Sequence, residues 1–192
     1  MEHRIGDGHP EESRHLHRHR ILLASGHLAE AQGNLPAAQQ AFVEIWQQNQ
    51  GQSYFWSATL IGLGCVAIKG GDWPAARQYF ATALPLTAQL ETASQSLEAL
   101  AGMVHLQAQA GQLEEALTWV GLVRHHPSSY QESKDRLDVL ETELRAKLTA
   151  EKVKAALALG QTTDLWDTVL AAGHWPQRTD WSWGIVSIST AI

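Results

Sequence analysis

Two histidines and the only cysteine are the residues of this chain best suited to bind a metal or to react as a nucleophile. His27, Cys65 and His105 are 38 and 40 residues apart. Imidazole and thiolate groups bind zinc, and a histidine can activate a cysteine. However, the spacing matches no short zinc motif, and Cys65 stands between Gly64 and Val66, without a charged neighbour to stabilise a thiolate. We therefore predict ordinary wall residues or contacts to a peptide or small ligand, and no metal, cofactor or catalytic pair.

The carboxylates and the other histidines are weaker candidates for chemistry. Asp135 and Glu141 could act as an acid and a base, but they fall on a predicted helix whose polar side should face water. His15, His17 and His19 belong to a basic stretch in which only the first and last would share a helical face. We expect a solvated tail there. The sequence therefore predicts that this protein is not an enzyme.

A glycine-centred segment that occurs three times must position these residues. It runs over 33–38, 71–76 and 111–116, so its glycines are 38 and 40 residues apart, a period typical of helical repeats. Each glycine would end one helix in the left-handed conformation, and the polar residue or proline after it would start the next. A small residue and a larger one four places later would fill the seam between the two helices. These pairs are Ala38 with Phe42, Ala76 with Phe80, and Ala116 with Val120.

Extended along the chain, this pattern predicts an all-α fold. Residues 16–173 form the repeat domain, with hairpins over about 16–50, 53–91, 92–125 and 130–160 and a capping helix over 163–171. Pro85 should kink or end the second helix of the second hairpin. Residues 1–15 show no periodicity and are expected to form a flexible N-terminal segment. Residues 174–192 are rich in tryptophan and strand-like at their end, which predicts either an appendage packed on the last helices or a strand that docks on a partner.

Composition narrows the functional class. The 192 residues are 44% hydrophobic and 18% charged, with a formal net charge of −6. This charge argues against general affinity for nucleic acid or an anionic membrane, since both require a basic face. One cysteine cannot form an intrachain disulfide, and the sequence contains neither an apolar run of membrane-spanning length nor the apolar centre of a signal peptide. We therefore expect a cytoplasmic location.

The second hairpin resembles the tetratricopeptide repeat (TPR). It has the small residue in the first helix, the Gly-polar turn, and the early alanine and aromatic residue of the second helix, namely Gly64, Gly71-Asp72, Ala76, Phe80 and Ala83. The first hairpin has close equivalents, and the third departs from the pattern at Val104 and Val120. The resemblance implies a right-handed αα-superhelix, a TPR-like solenoid of three to four hairpins, that binds other proteins.

A narrower resemblance covers about residues 97–173. The matching residues are 100–103, 110–112, 125–127, and 159–160 with Leu165, which are similar to the C-terminal TPR region of large bacterial signal-transduction NTPases and transcriptional regulators. This resemblance implies a sensor or partner platform. The sequence contains no GxxxxGK[ST] phosphate loop, so an NTPase activity would have to lie on another chain or segment.

The first helices of the hairpins should line a concave groove. Alignment by the turn glycines places eight residues on or near its wall, namely Arg20, Leu23, His27, Ile61, Cys65, Glu98, Ala101 and His105. Equivalent atoms in adjacent repeats would be about 10 Å apart, too far for one metal ion to bind the histidines and the cysteine together.

We therefore predict a noncatalytic scaffold that binds a protein or peptide segment in this groove, within a bacterial regulatory assembly. Nucleic acid and membranes are not expected partners of this chain alone. The alternative is a small-molecule sensor region of a multidomain transcriptional regulator. We also expect the tryptophan-rich tail to support self-association, since contiguous apolar surface seldom stays exposed.

Overall fold

The structure, a computed structural model, describes residues 10–48 and 54–173. Within these ranges the chain is all-helical and contains no strand, which confirms the predicted all-α class. The helices are α1 (Pro10–Ala31), α2 (Leu35–Gln48), α3 (Tyr54–Gly70), α4 (Trp73–Gln89), α5 (Ala93–Gln109), α6 (Leu113–His125), α7 (Gln131–Asp135), α8 (Asp138–Ala146), α9 (Ala150–Thr162) and α10 (Leu165–Gly173).

Glycine permits the sharp turn inside each of the first three hairpins. Gly33, Gly71 and Gly111 have φ angles of 76°, 77° and 79°, a left-handed conformation that costs glycine little. The turn between α4 and α5 is closed by the same pattern of backbone hydrogen bonds, but there Glu91 takes the left-handed position with φ of 50°. This turn contains no glycine, but it lies where the sequence analysis places the boundary between the second and third hairpins, at residues 91 and 92.

The first six helices form two layers. The first helices of the three hairpins, α1, α3 and α5, lie side by side, because α3 contacts both of the others. The second helices, α2, α4 and α6, each pack against the first helix of their own hairpin, and α2 and α4 also pack against the next one. Every residue of α3 from Ser57 to Ala67 is buried, as expected for an apolar helix with neighbours on all sides. Pro85 does not end α4, which continues to Gln89.

Two buried phenylalanines join neighbouring hairpins. Each ring lies between a glycine of its own hairpin and a glycine of the next one. We call these arrangements the glycine sockets, and they are Gly26–Phe42–Gly62 and Gly64–Phe80–Gly102. A Cβ atom added to Gly26 or Gly64 would lie 2.6 Å from a ring carbon, closer than van der Waals packing allows. The small residues are therefore required between the hairpins as well as within them.

The part of the chain after α6 is arranged differently. Two helices, α7 and α8, take the place of the single predicted first helix of the fourth hairpin, and α7 packs against α5 and α6. The next helix, α9, packs against α6, where Gly121 and Gly160 allow the two backbones to touch. The last helix, α10, packs against α4 and α5. It therefore covers part of the second and third hairpins.

The N-terminal helix is longer than predicted. It begins at Pro10, a residue type that is favoured in the first turn of a helix. His19, which was expected in a solvated tail, is buried, and its ring centroid lies 5.7 Å from that of Phe55. Residues 14–18 are exposed and mostly polar, so they show no apolar periodicity from which the start of the helix could be predicted. The rest of the predicted flexible segment and the whole predicted tail, 174–192, lie outside the described residues.

Candidate binding site on the first-helix face

One arginine from the C-terminal part of the chain reaches all three first helices. Arg136 lies between α7 and α8, and its side chain is 29% exposed. Its Nη2 donates to Glu30 Oε2 of α1 at 3.1 Å, and its Nη1 donates to Cys65 Sγ of α3 at 3.2 Å and to Glu98 Oε1 of α5 at 3.4 Å. These four residues and Lys69 are the Arg136 cluster. The side of α1, α3 and α5 on which Arg136 lies is the first-helix face.

Glu30 is a buried anion surrounded by cationic groups. The residue is 1% exposed. Lys69 Nζ lies 3.0 Å from Oε1 and donates a hydrogen bond to the Glu30 backbone carbonyl at 3.0 Å, while His27 Nδ1 lies 3.8 Å from Oε2. Burial alone would raise the pKa of this carboxyl group. The nearby His27 side chain and the charges of Arg136 and Lys69 outweigh burial and lower the pKa from 4.5 to about 2, so Glu30 is ionised at neutral pH.

Burial sets the direction of the pKa shift at Glu98, Cys65 and His105. It raises the pKa of Glu98, although the Arg136 charge opposes the shift. It also raises the pKa of Cys65 to about 12, so the thiol stays protonated and acts as an acceptor for Arg136. Burial and then the Arg136 charge lower the pKa of His105, which favours the neutral imidazole. The cluster can therefore bind a cation, but its thiol is not activated for attack.

Two tyrosines lie beside the cluster. Tyr54 begins α3 and is 45% exposed, and Tyr130 precedes α7 and is 43% exposed. Burial, and after it the neighbouring hydroxyl of Tyr130, raises the pKa of Tyr54, because the two hydroxyl groups interact. Gln95 Nε2 donates to the Tyr54 carbonyl at 3.1 Å, and Ser57 Oγ donates to Gln95 Oε1 at 2.7 Å, which holds the start of α3 against α5. Exposed tyrosines are enriched where proteins bind other proteins.

The structure brings three of the eight predicted groove residues together. His27, Cys65 and Glu98 all lie around Arg136 or its partner Glu30. His105 is half-buried on the same face, where the Arg136 charge affects its pKa. The row of equivalent residues was inferred from the repeat spacing alone.

The remaining predicted groove residues differ widely in exposure. Arg20 is exposed and Leu23 is half-buried. Ile61 and Ala101 are 0% and 3% exposed, and Cys65 is 7% exposed, so a partner cannot contact these three in this conformation. The physical reason is that α3 and α5 are covered by neighbouring helices on more sides than an open groove would allow. The accessible part of the predicted groove consists of its charged and imidazole side chains together with Leu23.

The sequence reasoning missed Glu30, Lys69 and Arg136. Glu30 and Lys69 lie in the last turns of α1 and α3, close to the turn glycines. Their opposite charges in adjacent repeats could have predicted an ion pair between the two helices. Arg136 carries no such signal, because it belongs to a segment outside the three repeats and its contact with Glu30 spans 106 residues of sequence.

The two carboxylates expected to face water have different surroundings. Asp135 is exposed and accepts a hydrogen bond from Gln131 Nε2 at 2.7 Å. Glu141 is only 8% exposed, and its carboxylate forms ion pairs with Arg124 at 2.5 Å and Arg145 at 2.6 Å. The expectation for Glu141 is therefore corrected: its side chain ties α8 to α6, because Arg124 belongs to α6.

The described ranges, 10–48 and 54–173, contain no group of three or more His, Cys, Asp or Glu side chains placed to hold one metal ion. In the same ranges no helix combines the length and apolar character needed to span a bilayer. Comparisons with models of protein families, with curated proteins and with solved structures found no match to this chain. The site is therefore interpreted from its own geometry.

Proposed function

We propose that this chain is a noncatalytic scaffold that binds a segment of a partner protein on the first-helix face. The observation that carries the proposal is the row formed by α1, α3 and α5, whose polar side chains from three successive hairpins converge on one side. A surface built from equivalent helices of several repeats suits an extended partner segment, because each repeat can contact a different part of it.

The proposed architecture is a TPR-like solenoid, a right-handed superhelix of three to four hairpins. Four turns of the same geometry, the side-by-side first helices and the two glycine sockets support it. The matching turns inside the hairpins, and the packing of α2 on α3 and of α4 on α5, support a similar relation of each hairpin to the one before it, which is the defining property of a solenoid. The departure of α10 from this stack marks the atypical end of the array.

The chemistry of the face favours recognition over catalysis. Tyr54 and Tyr130 offer large amphipathic surfaces, and His27, Glu98 and His105 offer half-buried polar groups. Such a mixture is typical of a protein-binding surface. The net charge of −6 favours a protein or peptide partner over nucleic acid or an anionic membrane. Placement in a cytoplasmic regulatory assembly belongs to the same proposal and derives from the resemblance to bacterial regulators.

The proposal is tested by selecting peptides from a random display library on the purified full chain and measuring their dissociation constants in solution. Tyr54→Ala and His105→Ala should each weaken the selected peptides about tenfold, the effect of losing a central contact worth about 1–2 kcal/mol. Lys154→Ala is the matched control, because Lys154 is exposed on α9, which packs on a second helix. The control should leave binding unchanged.

Peptides whose binding is weakened by Lys154→Ala but not by the two first-helix substitutions would overturn the proposed site. A thermal-shift screen with metabolites provides the second arm of the test, because a ligand that binds the folded state raises the melting temperature. A chain that binds a metabolite and selects no peptide would be a small-molecule sensor instead of a scaffold.

A further inference from the structure

We propose that Glu30 and Glu98 form a binding site for a guanidinium group, that Arg136 is its built-in occupant, and that an arginine of the partner segment takes the same place. The inference deepens the proposed function and rests on it for the identity of the second occupant. The existence of the guanidinium site itself does not depend on any partner. Because Arg136 occupies this site, the segment formed by α7 and α8 competes with a partner arginine and so regulates access to the first-helix face.

The geometry favours a guanidinium group over an ammonium group. The three acceptors belong to three different helices, and they are reached by two nitrogens of one planar group: Nη2 contacts Glu30, and Nη1 contacts both Glu98 and Cys65. The rigid fork of a guanidinium spreads its donors over such separated acceptors, whereas the compact ammonium of lysine would reach fewer of them. The protonated Cys65 thiol adds a third, uncharged acceptor beside the two carboxylates.

The site would be costly to leave empty. Glu30 is 1% exposed, and its Oε1 accepts no hydrogen bond, although Lys69 Nζ lies 3.0 Å away. Without Arg136, a carboxylate that is nearly inaccessible to water would lose its hydrogen-bond donor on Oε2. Lys69 would remain as an ion-pair partner on Oε1, but the buried carboxylate would still favour a cation that donates to Oε2 in place of Arg136.

The segment that supplies Arg136 is small and only partly buried. The helix before it, α7, has five residues, of which Ser133 alone is buried. On the other side of Arg136, Leu137 is buried but Val139 is 72% exposed. The Arg136 side chain itself is 29% exposed, so a competing side chain has a route to the carboxylates. A short, weakly buried segment is the part of a fold that opens most readily.

The experiment removes the built-in occupant from the full-length chain and supplies a free one. Arg136→Ala should lower the melting temperature, and millimolar methylguanidinium chloride should restore part of the loss. At tenfold excess over its dissociation constant the expected rise is about 3 °C or more, by mass action. Wild-type protein, whose site is filled, should show no rise. The double variant Arg136→Ala/Glu98→Gln should show a smaller rise than Arg136→Ala.

Methylammonium chloride at the same concentration is the matched control for charge and ionic strength. An equal rise with methylammonium, or no rise with methylguanidinium, would overturn the guanidinium site. If Arg136→Ala does not fold, refolding in methylguanidinium should restore helical circular dichroism. A chain that stays unfolded there, while Arg136→Lys folds, would equally overturn the proposal.

Peptide selection on Arg136→Ala separates this inference from the proposed function. Peptides selected on the variant should be enriched in arginine over lysine and should bind wild-type protein at least about tenfold more weakly, because Arg136 competes with them. Rescue by methylguanidinium without any peptide binding would support the guanidinium site and count against the proposed function. Peptides without arginine enrichment would support the proposed function and overturn the identity of the second occupant.

Discussion

The glycine sockets and the Arg136 cluster both join the three hairpins, but by opposite physical means. In the sockets, Phe42 and Phe80 are fully buried against glycines, and the contact is apolar and is made twice with the same geometry. In the cluster, Arg136 meets Glu30 and Glu98 through charged hydrogen bonds, and the contact is made once, by a residue from outside the repeats. Repeated apolar contacts build the stack, whereas the single polar contact gives one of its faces a specific chemistry.

The two regions also differ in whether a group from outside the chain can replace their central side chain. A phenylalanine in a glycine socket has no route to solvent and no substitute of similar shape outside the chain. A guanidinium that is 29% exposed can be replaced by another guanidinium. The sockets therefore determine stability, and the cluster is the region where a partner could alter the balance between two states.

The largest expected effect comes from filling a socket. Gly102→Ala would place a methyl group too close to the Phe80 ring, which is fully buried and already packs closely against Gly64. Overpacking of this kind costs about 1–3 kcal/mol of unfolding free energy. Gly70→Ala is the matched control, because a Cβ atom there meets nothing within 4 Å. Urea denaturation should show the loss for Gly102→Ala alone, and equal stability of the two variants would contradict the socket.

The cluster should show two opposite pH dependences within one site. The pKa of Glu30 is about 2 in the folded chain and lower than in the unfolded chain, so its ionised form stabilises the fold. This contribution is complete above about pH 5 and is lost as the pH falls towards 2. The stability difference between wild type and Glu30→Gln should therefore shrink over this range, as measured by urea denaturation at a series of pH values.

Glu98→Gln should behave in the reverse sense. The pKa of Glu98 is raised by burial, so protonation relieves a cost in the folded chain. As the pH falls through this raised pKa towards 4.5, wild type should gain stability relative to Glu98→Gln. If the stability difference from wild type changed with pH in the same direction for Glu30→Gln and Glu98→Gln, the opposite pKa shifts of the two carboxylates would be contradicted.

The smallest expected effect concerns the turn that lacks glycine. Glu91 has φ of 50°, a conformation that is unfavourable for residues other than glycine. Glu91→Gly should raise the unfolding free energy by about 0.5–1 kcal/mol, since the strain is removed and no buried contact is lost. The melting temperature should rise by about 1–4 °C. A decrease would mean that the Glu91 side chain makes a contact that outweighs the strain.

Much of the fold could be predicted from the sequence because the repeats obey local rules. Gly33, Gly71 and Gly111 mark the turns, and the alanine and aromatic positions mark the seams. The left-handed conformation of Glu91 could not be predicted this way, because its residue type does not favour a positive φ. The path of α10 back to α4 also follows from packing, and no local pattern encodes it.

The candidate site was only half predictable. The row of His27, Cys65 and His105 followed from the repeat period, and Glu98 from the same alignment. The spacing could not reveal that an arginine from outside the repeats would contact this row, because that contact spans the whole array. Nor could it separate buried from accessible wall positions, which depend on how many helices surround α3 and α5.

A double-mutant cycle between Glu30 and Arg136 tests the central claim most directly. The free energy of unfolding is measured by urea denaturation for wild type, Glu30→Gln, Arg136→Met and the double variant, with Glu44→Gln and Arg136→Met as the control pair. Residues in one hydrogen-bonded ion pair couple by about 0.5–3 kcal/mol. We predict a coupling of at least about 1 kcal/mol for Glu30 with Arg136 and none for the control pair. Additive effects within about 0.5 kcal/mol would contradict the account, because Arg136 would then not join the first-helix face.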